Sequence, residues 1–183
     1  MTELTVHVIG TPVAQGSKVP NRHAPGVRDS NAKTLKPWRA DVAGVVADTM
    51  TAVGWTTLDG PIEVVLTFFH ERPGGHFGTG RNAGVLKPSA PRWKSTAPDI
   101  DKLTRAILDS LTSARAIRDD ARVARLVVED LWADAATGAR ITVRPLDSTP
   151  AGSPVPAGAD HTSDAPLQGE GTGPPTTVQD ALL

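Results

Sequence analysis

Alternating and continuous runs of apolar residues predict four β-strands along this chain. Residues 4–10 alternate between apolar and polar side chains, as expected of a half-buried strand, whereas the apolar run 61–70 is typical of a more deeply buried one. A third strand is predicted over residues 123–134. Because the short turn 135–138 leads into another alternating run, 139–144, the last two strands are expected to pair as a terminal hairpin.

Two further segments carry apolar residues at the three-to-four-residue spacing of an amphipathic helix. The first helix follows Pro37 and is predicted to end at Gly54. The second runs from about Pro98 to Ser113, and its apolar stripe consists of Ile100, Leu103, Ile107 and Leu111. The order β-α-β-α-β-β therefore predicts an α+β protein, with a single mixed β-sheet and two packed helices.

Basic residues are concentrated in the two long segments between these elements, 11–35 and 72–97. The second segment is rich in Gly and Pro and is predicted to lack regular structure, and loops of this length are usually functional or mobile. A solvated charged surface explains such residues as well as a phosphate-binding surface does. The candidates for DNA contact in these segments are Lys18, Arg22, Arg28 and Lys94.

The last 37 residues differ in composition from the rest of the chain. Residues 147–183 contain six Pro, five Gly, five acidic residues and no Lys or Arg. Such a segment cannot bury enough apolar surface to offset its chain entropy, so it is predicted to be a disordered acidic tail. The whole chain carries a net charge of −1 and the tail −5, which leaves a predicted folded domain, residues 1–146, at +4.

Several simple features bear on the cellular compartment. The sequence has no Cys, its first residues lack the basic region of a secretion signal, and no apolar run reaches the roughly 18 residues that span a bilayer. These features predict a cytoplasmic protein without membrane contact.

Candidate chemistry is concentrated in the second predicted helix and the turn after it. Five Asp residues fall within 22 residues there: Asp99, Asp101, Asp109, Asp119 and Asp120. Carboxylates are the ligands that Mg²⁺ prefers, and two such ions can together hydrolyse a phosphodiester. Asp is also common at helix starts and in turns, where it caps backbone N–H groups. Spacing alone does not decide whether the two ends of this segment meet.

These residues also resemble a known family. The stretch PDIDKLTRAILDSL, followed by RDDARV, resembles the core signature of RusA-type Holliday junction resolvases, especially those of phages and prophages. The segments IGTPVAQGSK and HFGTGRNAGVLKPSAP support the resemblance, which covers roughly residues 4–146.

The resemblance implies a Mg²⁺-dependent endodeoxyribonuclease that acts as a homodimer. Mn²⁺ can substitute for Mg²⁺ in such an enzyme. Such an enzyme resolves four-way DNA junctions by paired nicks in recombination and repair. The family's three metal-binding catalytic aspartates correspond to Asp99, Asp101 and Asp120. Arg105 stands where relatives often carry Lys; it keeps the positive charge and can bind a phosphate, but it does not replace Lys as a proton donor. Lys102 on the same helix is a further predicted DNA-binding residue.

Other functions use similar residues. Haloacid dehalogenase phosphatases and DxD glycosyltransferases also carry two Asp separated by one residue, but at the end of an apolar strand. Here a polar, Pro-rich segment precedes the motif and a helix follows it. The remaining alternative is a non-catalytic, junction-binding DNA module that kept the fold, and metal-dependent cleavage would distinguish it from an enzyme.

Removal of residues 147–183 should leave the melting temperature unchanged and strengthen DNA binding modestly at low salt. The reason is that an anionic segment competes with DNA for basic residues, and this competition is screened as ionic strength rises. Melting curves and junction affinity at two salt concentrations test this. A large fall in melting temperature would show that the segment packs on the domain, and an unchanged affinity at low salt would refute the competition.

Overall fold

Eight regular elements make up the computed structural model of the protein, which describes residues 3–20 and 27–146. In chain order they are β1 (Leu4–Ile9), β2 (Lys18–Pro20), β3 (Val27–Asp29), α1 (Ala32–Val53), β4 (Ile62–His70), α2 (Ile100–Ser113), β5 (Val123–Trp132) and β6 (Gly138–Pro145). Four strands form one mixed sheet in the spatial order β1-β6-β4-β5, with β4 parallel to β5 and the other pairs antiparallel. The predicted α+β fold, with two helices and a single mixed sheet, is confirmed.

One pairing in the sheet differs from the prediction. β5 and β6 do not form a terminal hairpin, because β4 lies between them. The connection 133–137 instead crosses the end of β4, where Ala133 N donates to His70 O at 2.7 Å. The apolar sequence of β4 explains its central place, since seven of its nine residues are buried. A small antiparallel pair, β2 and β3, also lies within the segment that was predicted to be a loop.

The first helix begins earlier than predicted. It starts at Ala32 and contains Pro37 within its second turn. The carbonyl of Asn31 accepts hydrogen bonds from the N–H groups of Thr34 and Leu35, both at 3.0 Å, and so begins the helix. Pro37 removes only one backbone donor there, and the added turn buries Leu35. The predicted end is confirmed, because Gly54 adopts the left-handed conformation with φ +64°.

The core lies between the two helices and one face of the sheet. β1 contributes alternate residues to it, and its other residues are exposed. Helix α2 buries Leu103, Ile107 and Leu111 as predicted, whereas Ile100 is 41% exposed. Burial of each such side chain contributes about 1.5–3 kcal/mol, so α2 is held firmly on the sheet. Its opposite side, which carries Asp101 and Arg105, is consequently exposed.

Two predictions concern the chain outside this core. The predicted acidic tail, residues 147–183, lies outside the described residues. None of the helices in the described part of the chain is long and apolar enough to cross a membrane.

Replacement of Gly138 by Ala should destabilise the fold. Gly138 pairs with Ile9 and has φ +153°, and an added Cβ would lie 2.0 Å from the carbonyl oxygen of Val8. The strained backbone alone should lower the free energy of unfolding by about 1–3 kcal/mol. The control is Gly44→Ala in α1, where an added Cβ meets nothing within 4 Å. This substitution should raise the free energy of unfolding by about 0.5–1 kcal/mol. Urea unfolding measures both, and a fully stable Gly138→Ala variant would contradict the predicted clash.

Candidate active site

Two of the three predicted metal-binding carboxylates line one groove. Asp101 lies in the first turn of α2, and Asp120 begins a short 3₁₀ turn before β5. The chain turns back after α2, so that Asp120 and Asp101 both line a groove of about 480 Å³ together with Arg105. Thr104 and four apolar side chains of α2 and β5 complete its lining: Ile100, Leu108, Leu126 and Val128. The groove thus offers two carboxylates and a guanidinium beside apolar surface.

Asp99 lies just outside this groove, at the N-cap position of α2. Its side chain is exposed, and Oδ2 lies 2.6 Å from Lys102 Nζ. The hydrogen bond from Lys102 and then the charge of Lys102 lower the pKa of Asp99, and the same pairing raises the pKa of Lys102. Asp99 also lines a separate pocket with Lys94 and Asp130. In this arrangement the carboxylate of Asp99 is directed to Lys102.

The donor set of the groove fits a Mg²⁺ ion in chemical terms. Mg²⁺ is usually bound by one or two protein carboxylates, with water and phosphate oxygens completing its coordination. Asp101 and Asp120 provide two such carboxylates beside an open groove. Among residues 3–20 and 27–146, no three His, Asp or Glu side chains are arranged to hold a metal together. Asp101 and Asp120 are thus the carboxylates that line the groove itself.

Arg105 is available for contact with a ligand. It is exposed and lines both the groove and a neighbouring pocket beside Gln15, Gly16 and Ser17. Asp109 lies one turn further along α2 but does not pair with Arg105. Asp109 Oδ2 instead lies 3.1 Å from Arg39 Nη1 of α1. Within the described residues, the guanidinium of Arg105 is left without an ion pair.

Asp119 has a structural role in the turn before β5. Its Oδ1 accepts a hydrogen bond from Ala121 N at 2.8 Å, which caps the turn that begins at Asp120. A carboxylate in this position satisfies a backbone donor and fixes the start of β5. Asp119 therefore orients its neighbour and does not line the groove.

The structure buries one of the predicted DNA-binding residues. Only 3% of the Lys94 side chain is exposed, and Nζ donates to Thr96 O at 2.5 Å, to Pro98 O at 3.4 Å and to Asp130 Oδ2 at 3.1 Å. All three N–H groups of the ammonium thus have protein acceptors, so Lys94 has none to offer to a phosphate. A direct DNA contact by Lys94, as predicted from the sequence, would therefore require these hydrogen bonds to break.

The loop around Lys94 is also more ordered than predicted. Trp132 N donates to Arg92 O, and Lys94 N donates to Asp130 O, both at 3.0 Å, so residues 92–94 pair with the outer edge of β5. Short 3₁₀ turns at Gly74–His76 and Gly80–Asn82 lie within the same loop. The segment 72–97 is therefore not structureless.

The remaining predicted DNA-binding residues lie elsewhere. Lys18 is in β2, Arg28 is in β3 opposite Val19, and Lys102 is exposed on α2 beside Asp99. Arg22 lies outside the described residues. Lys18, Arg22, Arg28 and Lys102 remain predicted DNA-binding residues.

A buried polar group near α2 was missed in the sequence. His70, the last residue of β4, has Nε2 2.8 Å from Asp130 Oδ1, although the two are not aligned as a hydrogen bond. Burial lowers the pKa of His70; the Asp130 carboxylate opposes this shift, and the Lys94 charge adds to it. One pattern in the sequence indicated this burial. His70 lies two residues after Phe68 and four after Leu66, and both of these side chains are buried in β4.

Comparison with known proteins bears on what this groove does. No curated protein matches the chain significantly. The family model described as Endodeoxyribonuclease RusA matches residues 10–144, which is most of the chain and includes both α2 and the turn at Asp120. The resemblance seen in the sequence is thereby confirmed: the chain belongs to the RusA family of endodeoxyribonucleases.

Proposed function

We propose that this protein is a divalent-metal-dependent endonuclease that resolves four-way DNA junctions by paired nicks. The observation that carries the proposal is the groove in which Asp101, Asp120 and Arg105 lie together, in a chain of an endodeoxyribonuclease family. Mg²⁺ is the expected ion, and Mn²⁺ should replace it. Because two opposed strands must be cut, we propose that the protein works as a homodimer with one groove in each subunit.

The carboxylates of the site and Arg105 are proposed to have different roles in phosphodiester hydrolysis. A bound divalent ion supplies an acidified water and neutralises charge on the phosphate. Asp101 and Asp120 would hold the ion by their negative charge, and Asp99 is proposed as the third carboxylate from the preceding turn. Asp99 is now paired with Lys102, so binding of the ion by Asp99 requires that this exposed ion pair opens.

Arg105 is proposed to bind the scissile phosphate. Its guanidinium is exposed at the groove and unpaired within the described part of the chain, so no existing ion pair must be broken before it contacts DNA. A guanidinium presents parallel N–H groups that match two phosphate oxygens. The expected contribution is stabilisation of the charge that develops in the transition state, without proton transfer from this side chain.

The competing proposal is a DNA module that binds junctions without cutting them. A labelled synthetic four-way junction and a linear duplex of the same sequence, each incubated with Mg²⁺, Mn²⁺ or a chelator, distinguish the two. An enzyme should nick the junction in symmetric pairs with either metal and leave the linear duplex intact. Binding without metal-dependent cleavage would support the module.

Asp99→Asn, Asp101→Asn and Asp120→Asn should each abolish cleavage and leave junction binding largely intact. Each change removes a negative charge with little change in shape, whereas affinity for DNA comes mainly from contacts of basic residues with phosphates. Junction cleavage with Mg²⁺ and gel-shift binding with chelator provide the two measurements.

The matched control is Asp109→Asn, which alters a carboxylate of the same helix that pairs with Arg39 outside the groove. This variant should cleave normally. Normal cleavage by any of the other three variants would remove that residue from the site.

Arg105→Lys should retain much of the cleavage rate, and Arg105→Ala should lose about 2–4 kcal/mol of transition-state stabilisation, as other electrostatic donors do. The measurement is the single-turnover rate on a junction that is saturated with protein. Arg39→Ala serves as the control, because it removes a cation of α1 that pairs with Asp109. An Arg105→Ala variant that cuts at the parental rate would limit Arg105 to a surface role.

A further inference from the structure

Among the Lys and Arg residues whose side chains the structure describes, Lys94 is the one that is buried. Lysine is almost never fully buried unless it is paired, because its charge loses hydration. Here the Asp130 carboxylate provides the opposite charge at 3.1 Å, and the carbonyls of Thr96 and Pro98 accept the other two N–H groups. A buried charge that is satisfied this completely is energetically expensive to disturb.

The acceptors of Lys94 lie at the entrance to α2. Pro98 directly precedes Asp99, and Thr96 lies two residues before Pro98. Asp99 O accepts the first hydrogen bond of α2, from Leu103 N at 3.1 Å. On the other side, Lys94 contacts β5 twice: Nζ contacts the side chain of Asp130, and its backbone N donates to Asp130 O at 3.0 Å. A single side chain therefore connects β5 to the segment that sets where α2 starts.

We infer that Lys94, together with Asp130, is a positioning residue that holds Asp99 and Asp101 in place for binding the divalent ion. This inference rests on the proposed function, because it assigns these two aspartates to the metal. Lys94 itself touches neither ion nor substrate, since all its N–H groups are used within the protein. Partners that orient metal ligands from outside the coordination sphere typically alter metal affinity by 10–100-fold when they are removed.

A simple stabilising role would have different consequences, and the same loop provides a matched control. The side chain of Arg72 is 7% exposed and also binds backbone carbonyls: Nε donates to Ala133 O at 3.0 Å and Nη1 to Pro91 O at 2.8 Å. It also pairs with Asp134 at 2.7 Å. Arg72 thus anchors the other end of the loop through comparable bonds, but none of its acceptors adjoins α2.

The experiment compares Lys94→Met, Lys94→Met/Asp130→Asn and Arg72→Met with the parent. The double variant avoids an unpaired buried carboxylate, which by itself destabilises proteins, so a folded protein is available for measurement. Urea unfolding gives stability, calorimetric titration with Mn²⁺ in the absence of DNA gives metal affinity, and the Mg²⁺ dependence of junction cleavage gives the functional requirement.

The double variant should bind Mn²⁺ roughly 10–100-fold more weakly and need correspondingly more Mg²⁺ for half-maximal cleavage. Arg72→Met should lose stability but keep the parental metal affinity. Equal Mn²⁺ affinity in the double variant and in Arg72→Met would overturn the positioning role.

Asp101→Asn in the same Mn²⁺ titration separates this inference from the proposed function. If Asp101→Asn loses Mn²⁺ binding and the double variant keeps it, only the role of Lys94 fails. If Asp101→Asn binds Mn²⁺ as the parent does, the assignment of the aspartates fails, and the positioning role fails with it.

Discussion

Parallel neighbours such as β4 and β5 cannot be joined by a tight turn, so the chain must leave the sheet and return to the same end. Here the return is made by the loop after His70 and by α2, which packs on the sheet through Leu103, Ile107 and Leu111. Once this apolar stripe is buried, the direction of every other side chain on α2 is determined. Asp101 and Arg105 therefore face outward on the same side, next to the turn that carries Asp120.

Local patterns in the sequence were sufficient for the two helices and for the four strands of the main sheet, but not for the start of α1 or for the small pair β2 and β3. The spacing of apolar residues identified both helices, and the aspartates at either end of α2 identified the segment that lines the groove. Two predictions were wrong where a local sequence pattern suggested one structure and tertiary packing favoured another. The short turn 135–138 suggested a hairpin, but the more buried β4 occupies the position between β5 and β6. The first helix was predicted to follow Pro37, whereas α1 already begins at Ala32 and buries Leu35.

The burial of charged residues was the feature that the sequence could not reveal. Lys94 stands in a polar, Pro-rich segment, where a cation is normally solvated, and only the pairing of residues 92–94 with β5 brings it next to Asp130. The same holds for Arg72 and its carbonyl acceptors. Cations that are used inside the protein contribute little to the field that a DNA strand meets. Lys94 and its buried partner Asp130 cancel, so the charge of +4 assigned to residues 1–146 is carried by the other ionised residues of that range.

The contacts of Arg72 also indicate where this fold can vary in loop length. Arg72 Nη1 contacts Pro91 O at 2.8 Å, so the two ends of the segment 73–90 meet at one place. The entropic cost of closing a flexible loop rises slowly with its length, by about 0.6 kcal/mol for each doubling of the number of residues. Residues inserted or deleted between these ends would change the length of the loop and leave the start of α2 in place. The segment is therefore a place where this fold can accept new sequence without moving its aspartates.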